Sequence, residues 1–191
     1  MIFFTSDYHI GHHNIIAYSK RPFQNVEEMN REIIARHNAV VKANDTVYNI
    51  GDVALNEKYV PDLLKQLNGT QHLVCGNHDG CHSRHGRHKK KLLQYKEFGF
   101  ASVQEQLELQ ICNRTVLLMH MPYRNENDKD QRYAEFRPVD KGQFLLCGHV
   151  HDKWKINGRQ INIGIDQWNY APVSETEICD VIADIIEFEQ V

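Results

Sequence analysis

Short apolar runs separated by polar turns set the rhythm of the chain, and the period within each run predicts an element. Residues 2–6 form a strand-like run that ends at Asp7. Asn25 has the character of an N-cap, with Glu28 placed to complete a capping box. Val26, Met29, Ile33, His37 and Val40 follow at helical spacing, which predicts an amphipathic helix over 26–41. Residues 46–50 read as a strand ending at Gly51-Asp52. Residues 61–67 read as a short helix stopped by Gly69, and 71–75 as a strand running into Gly76-Asn77-His78-Asp79.

The second half changes character. Val103, Glu105, Leu107, Leu109 and Ile111 alternate with their neighbours as in one half-buried antiparallel strand. Residues 115–119 predict a strand ending at His120, and 143–147 a strand ending at Gly148-His149-Val150-His151. Residues 153–156 and 159–163 flank Asn157-Gly158, a type I′ hairpin signal. Ser174 with Glu177 forms another capping box and opens a helix. The polar stretch 125–137 reads as a long loop. No repeat or linker divides the chain, so the expected organisation is one domain over 1–191, with a loop insertion at 121–142 near the active site. Helices and strands alternate early and strands dominate later, which predicts a layered α/β domain of two packed sheets with flanking helices.

Composition narrows the function classes. With Lys and Arg totalling 22 against 25 Asp and Glu, the formal net charge is −3. That balance disfavours a dedicated nucleic-acid wrapper and a polybasic membrane binder. No apolar run approaches the about 18–20 residues of a membrane span, and the first ten residues do not read as a signal peptide, so no membrane partner is expected. Five cysteines, none in a C-x-x-C pair, read as buried free thiols of a cytoplasmic protein. In particular Cys75 and Cys147, each just before a glycine, read as small buried residues. The sequence carries no signal for an oligomeric state.

The chemistry sits just past the strand ends. Asp7-x-His9, Gly51-Asp52, Gly76-Asn77-His78-Asp79, His120 and Gly148-His149-x-His151 each place oxygen or imidazole ligands there, where open α/β sheets form binding crevices. Asp7 and His9, two apart on extended chain, are expected to point to one side, and so are His149 and His151. Glycines ahead of Asp52, Asn77 and His149 permit tight turns. Gathered in one crevice, these groups suit one or two divalent ions. Nitrogen and oxygen ligation without thiolate favours Mn, Fe, Ni, Co or Zn over Ca or Mg, with Mn the expected metal.

This ordered set of motifs, spanning residues 7–151, resembles the calcineurin-like metallophosphoesterases. Segments 3–16 and 161–174 resemble a small bacterial and phage group within them. The resemblance implies a four-layer α-β-β-α sandwich of two mixed sheets flanked by helices. It implies a first metal on Asp7, His9, Asp52 and His151, and a second on Asp52, Asn77, His120 and His149, with Asp52 as bridge. It implies phosphomonoester or phosphodiester hydrolysis by in-line attack of a metal-bridging hydroxide. His78 would assist the leaving group, and Asp79 would orient or polarise its ring.

Departures from relatives shape the substrate expectation. Asp-Arg-Gly after the Gly-Asp block and Glu after Gly-Asn-His, as in the Ser/Thr protein phosphatases, are both absent. The DNA-repair nucleases of the superfamily carry an added domain for which 191 residues leave little room. A small or nucleotide-like phosphoester is therefore expected, and extended nucleic acid is not favoured. Arg124 is a candidate phosphate clamp and His12 a candidate substrate contact. The basic stretch 82–91 is either a phosphate grip or a solvated loop entering a helix, and 125–137 either a solvated insertion or a partial lid. The alternative functions are a non-catalytic scaffold on the same fold, or a nucleic-acid-binding module with a structural metal site. His37 reads as packed core.

Overall fold

A computed structural model describes residues 1–124 and 132–190 of the chain. Its elements in order are β1 (Ile2–Thr5), α1 (Ile15–Tyr18), α2 (Val26–Val40), β2 (Thr46–Asn49), α3 (Val60–Leu64), β3 (Thr70–Val74), α4 (His88–Phe98), β4 (Ser102–Gln104), β5 (Gln106–Ile111) and β6 (Arg114–Met119). They continue with β7 (Phe144–Cys147), β8 (Ile156–Asn157), β9 (Gln160–Asn162), β10 (Val173–Ser174) and α5 (Glu175–Glu189). One sheet has the order β10-β1-β2-β3-β4 and the other β5-β6-β7-β9-β8. Strands β1 to β4 run parallel with β10 antiparallel, and β6, β7 and β9 run parallel with β5 and β8 antiparallel. Both sheets are therefore mixed, as the resemblance implied.

The apolar periods explain the layering. The helical stripe of α2 buries Met29 and Ile33, which pack with Val60 and Leu63 of α3, Tyr95 of α4 and Leu73 of β3 on one face of the first sheet. Phe4 of β1 and Ile50 just past β2, against Val116, Leu118, Leu146 and Ile161 of the second sheet, fill the space between the sheets. Ile178, Ile182 and Ile185 of α5 close that core from one stripe. Each such burial contributes about 1.5–3 kcal/mol. The opposite face of the second sheet carries Leu117, Leu145 and Cys147 beneath Tyr123 and Trp154. The caps form as their residue types dictate. Asn25 Oδ1 accepts from Glu28 N–H at 2.8 Å, and Ser174 with Glu177 makes the reciprocal box.

Three local expectations are corrected. Residues 103–111 are not one strand: β4 pairs with β3 in the first sheet and β5 with β6 in the second, so the chain changes sheets at Glu105. Alternation alone does not reveal this, because both halves keep one face buried. In the second hairpin, Asn157 pairs with Gln160, so the turn residues are Gly158 and Arg159. Only Gly158 has a positive φ, at 57°, the pattern of a type II′ rather than a type I′ turn. Cys112 and Cys179 are joined in a disulfide between the β5–β6 turn and α5, while Cys75, Cys81 and Cys147 are free and buried. The pair weighs against the all-thiol reading. His37 is packed core as expected, taking a hydrogen bond from the Tyr8 hydroxyl on Nδ1 at 2.6 Å. Among the described residues no helix is long and apolar enough to cross a membrane.

Candidate metal centre

Parallel strands deliver their C-terminal ends to one edge, and here the edges of both sheets meet. The loops after β1, β2 and β3 face those after β6 and β7. Asp7 N–H donates to Gly51 O and His9 N–H to Asp52 O, both at 2.9 Å, which ties the first two loops together. His149 N–H donates to Asp7 Oδ2 at 3.1 Å and His78 N–H to Asp52 Oδ1 at 2.8 Å, binding the remaining loops to the carboxylates.

The backbone at the ligands is left-handed, not extended. Asp7, His9, Asp52, His149 and His151 have φ of 61°, 52°, 53°, 70° and 48°. Such conformations cost of order 1–3 kcal/mol each and cluster at functional sites. They set the directions in which the ligand side chains leave the backbone. Gly148 is required by contact rather than by φ: a Cβ there would collide with Ser6 Oγ and Asp7 Oδ2.

The seven predicted ligands converge. His9 Nε2 lies 3.7 Å from Asp7 Oδ1 and 3.6 Å from Asp52 Oδ2, and His151 Nε2 lies 3.9 Å from Asp7 Oδ1. On the other side of Asp52, His120 Nε2 lies 3.5 Å from Oδ2. Asn77 Oδ1 lies 3.2 Å from His120 Nε2 and 2.9 Å from His149 Nδ1. The imidazole–carboxylate gaps are too long for good hydrogen bonds. They approach the about 3.0–3.5 Å between neighbouring ligands of one ion with bonds of about 2.1 Å.

The donor set fits a pair of divalent cations. His9 is buried, yet neither of its ring nitrogens has a hydrogen-bond partner. Asp7 and Asp52 are buried beside it. An orphaned imidazole between two buried carboxylates is costly unless a cation joins them. Electrostatics in the bare cluster show the same need. Burial raises the Asp7 carboxyl and drives the His9 imidazolium well down. Burial also opposes the charged forms of Asp52 and His120, but each stabilises the other. Asp52 is held well below its usual range and His120 is pushed up to about 10, so a proton stands where a metal would.

A second layer holds the ligands. His120 Nδ1–H donates to Ile50 O at 2.7 Å, which leaves Nε2 for the site. His151 Nδ1–H donates to Asp166 Oδ2, and Asp166 takes Arg21 by both oxygens at 2.9 Å. Arg21 also donates to Asp7 O at 2.7 Å and Tyr8 O at 3.1 Å. Arg21 and Asp166 were not singled out from the sequence. Asp166 did carry a signal, since it follows Gly164 past the end of β9 as the ligands follow other strand ends. Arg21 carried none.

The remaining expected site residues divide. His78 is 41% exposed at the mouth of the crevice, with Nε2 3.9 Å from Asp52 Oδ2. Asp79 does not polarise the His78 ring. It is buried, and its oxygens accept from the backbone N–H groups of Gly76 at 2.8 Å, Asp52 at 2.9 Å and Val53 at 3.2 Å. It therefore shapes two ligand loops through their backbones. Burial and the nearby Asp52 charge raise it to about 7. His12 and Arg124 both line the crevice above the ligands, whose volume is about 1110 Å³.

The basic stretch divides: Arg87, Lys89 and Lys90 are exposed, and the others make contacts within the fold. Arg84 and His85 both donate to Asn77 O, at 3.2 and 3.0 Å, His82 is buried against Phe136, and Lys91 pairs with Glu57. Of the 125–137 loop, residues 125–131 lie outside the described residues. Tyr133 sets its ring edge-on to His149 with centroids 5.9 Å apart. Cys75 contributes no ligand atom: Cys81 Sγ–H donates to Cys75 Sγ at 2.6 Å.

Comparison with known proteins agrees with this geometry. The family model for the calcineurin-like phosphoesterase superfamily domain matches residues 1–163. The Gene 66 protein of Mycobacterium phage L5 is 30% identical over 98% of this chain and 97% of its own length. The uncharacterized protein MJ1445 of Methanocaldococcus jannaschii is 33% identical over 97% of this chain and 91% of its own. The crystal structure of AQ665 from Aquifex aeolicus, a protein of unknown function, superposes with a TM-score of 0.70 at 25% identity, covering 95% of this chain and 98% of that one. With its loops assembled round one buried carboxylate cluster, and with this match over most of its length, the chain belongs to the calcineurin-like phosphoesterase superfamily.

Proposed function

We propose that this protein hydrolyses phosphoester bonds of a small or nucleotide-like substrate with two divalent metal ions, His78 serving the leaving group. The observation that carries this reading is the orphaned His9 imidazole between Asp7 and Asp52. Asp7, His9, Asp52 and His151 would hold one ion, and Asp52, Asn77, His120 and His149 the other. When bound, such ions neutralise phosphoryl oxygens and lower the pKa of water toward neutrality.

The chain's own groups do the rest. The left-handed ligand loops hold their donors at fixed angles, so little reorganisation is needed on binding. His78 stands at the mouth of the site, without the hydrogen bonds that fix His120, His149 and His151, and its ring can pass a proton to the departing oxygen. Donors of nitrogen and oxygen alone suit Mn, Fe, Ni, Co or Zn, and Mn is taken as the working metal. The test compares an aryl phosphomonoester with the matching diester across these metals. Metal-dependent release of the aryl alcohol from either supports the reading. No release from both under every metal overturns it.

A further inference from the structure

The crevice above the ligands is larger than a single phosphate ester needs. Its volume of about 1110 Å³ exceeds the roughly 300–1,000 Å³ of ordinary small-ligand pockets. Beside His9, His78, His149 and His151 its wall includes Arg124, Arg137 and Lys153, with the aromatic residues Trp154 and Tyr18. Arg124 N–H donates to Pro138 O at 2.8 Å, so Arg124 and Arg137 are held together at the base of the insertion.

Arg137 is the unusual member. Its Nε is buried and has no hydrogen-bond partner, a donor that lacks an acceptor. The acids of the same wall do not supply one. Asp140 accepts from Gly142 N–H at 2.8 Å, and among the described residues neither Asp140 nor Asp152 pairs with Arg137, Arg124 or Lys153. A guanidinium Nε with its neighbouring amine presents the fork that takes two oxygens of a phosphate.

We propose that this wall binds a second phosphate of the substrate, with Arg137 as its main receptor and Arg124 and Lys153 beside it. The inference rests on the phosphoesterase reading and narrows it. The substrate class becomes a nucleotide phosphodiester that carries a phosphate beyond the one cleaved, its base lying against Trp154 or Tyr18.

The test uses the full metal-loaded chain with thymidylyl-thymidine and the same dinucleotide bearing a terminal 5′- or 3′-phosphate. One phosphorylated form is expected to have a kcat/KM at least about ten-fold above the unphosphorylated one, the factor that one charge-assisted hydrogen bond confers. That ratio should fall to near one in Arg137→Gln and survive in part in Arg137→Lys. Calorimetry gives a second readout: thymidine 3′,5′-bisphosphate should bind more tightly than thymidine 5′-monophosphate, and Arg137→Gln should erase the difference. Equal kcat/KM for all three dinucleotides, or an unchanged preference in Arg137→Gln, overturns the inference. So does cleavage of aryl phosphoesters with no cleavage of any dinucleotide. If the aryl esters are inert as well, the parent reading falls and takes this inference with it.

Discussion

His151 donates its Nδ1–H to Asp166 across 3.3 Å, and this fixes the tautomer that leaves Nε2 facing Asp7. The same carboxylate is buried against Arg21, whose guanidinium also grips the backbone of Asp7 and Tyr8. One buried ion pair thus sets the ring of one ligand and the main chain of another. Asp166→Asn keeps the shape but removes the charge and frees the tautomer. Metal affinity is expected to fall about 10–100-fold, the usual effect of losing such a partner. Competition with a chromophoric chelator measures it, and wild-type affinity in Asp166→Asn would show that Asp166 does not position His151.

Asp52 and His78 should separate metal binding from turnover. Asp52 is buried between both halves of the cluster, whereas His78 is partly exposed and reaches it only at 3.9 Å. Asp52→Asn should lose bound metal together with activity. His78→Ala should keep its metal while turnover drops about 10²–10⁴-fold, the range for a general acid. Metal analysis beside aryl phosphate assays checks this, and equal metal loss in the two variants contradicts the division of roles.

Gly148 and Gly86 offer a steric contrast. A Cβ at position 148 would occupy the space of Asp7 Oδ2 and Ser6 Oγ, while at position 86 it meets nothing within 4 Å. Gly148→Ala should cost about 1–3 kcal/mol of stability and lower the metal content, and Gly86→Ala should leave both unchanged. Thermal unfolding with metal analysis distinguishes them. A Gly148→Ala protein with native metal content would mean that Asp7 is not held as described.

Much of the site was legible because each ligand follows a strand end, and strands announce themselves by short apolar runs. Asp7, Asp52, Asn77, His120 and His149 could be placed on one edge from that rule alone. The conformation could not. Nothing in Asp7-Tyr8-His9 distinguishes an extended segment from one with left-handed residues at Asp7 and His9, since those are held by hydrogen bonds to Gly51 and Asp52 far along the chain. Asp79 looked like a partner of His78 because it is adjacent in sequence, but its acceptors are used by backbone donors from two loops. The crossing from β4 to β5 was hidden for a similar reason, since a period of two residues is the same in either sheet. Arg21 gave no sign because its partner Asp166 lies 145 residues away.

Stability should weaken in acid through His37, whose partner Tyr8 lies between Asp7 and His9 in the chain. Burial lowers this imidazole from 6.5 to about 4, and the neutral ring accepts from Tyr8 and donates to Asn68 O. Between these values the unfolded chain binds the extra proton and the native protein does not. Stability therefore rises with pH through the window and levels off above it. The contribution lost on going down to pH 4 is roughly 3 kcal/mol. Urea unfolding between pH 4 and 7 should show a steeper slope in wild type than in His37→Gln. Equal slopes would mean that His37 takes up its proton as readily in the native protein as in the unfolded chain.

Loops from two sheets that hold a pair of ions about one carboxylate should be visible in a metal-loaded crystal. Anomalous diffraction from crystals grown with Mn²⁺ tests this arrangement most directly. Two peaks are expected about 3.5–4 Å apart on either side of Asp52, one reached by His9 and His151, the other by Asn77, His120 and His149. Anomalous density that is absent from the cluster, or that lies elsewhere on the protein, would contradict the arrangement.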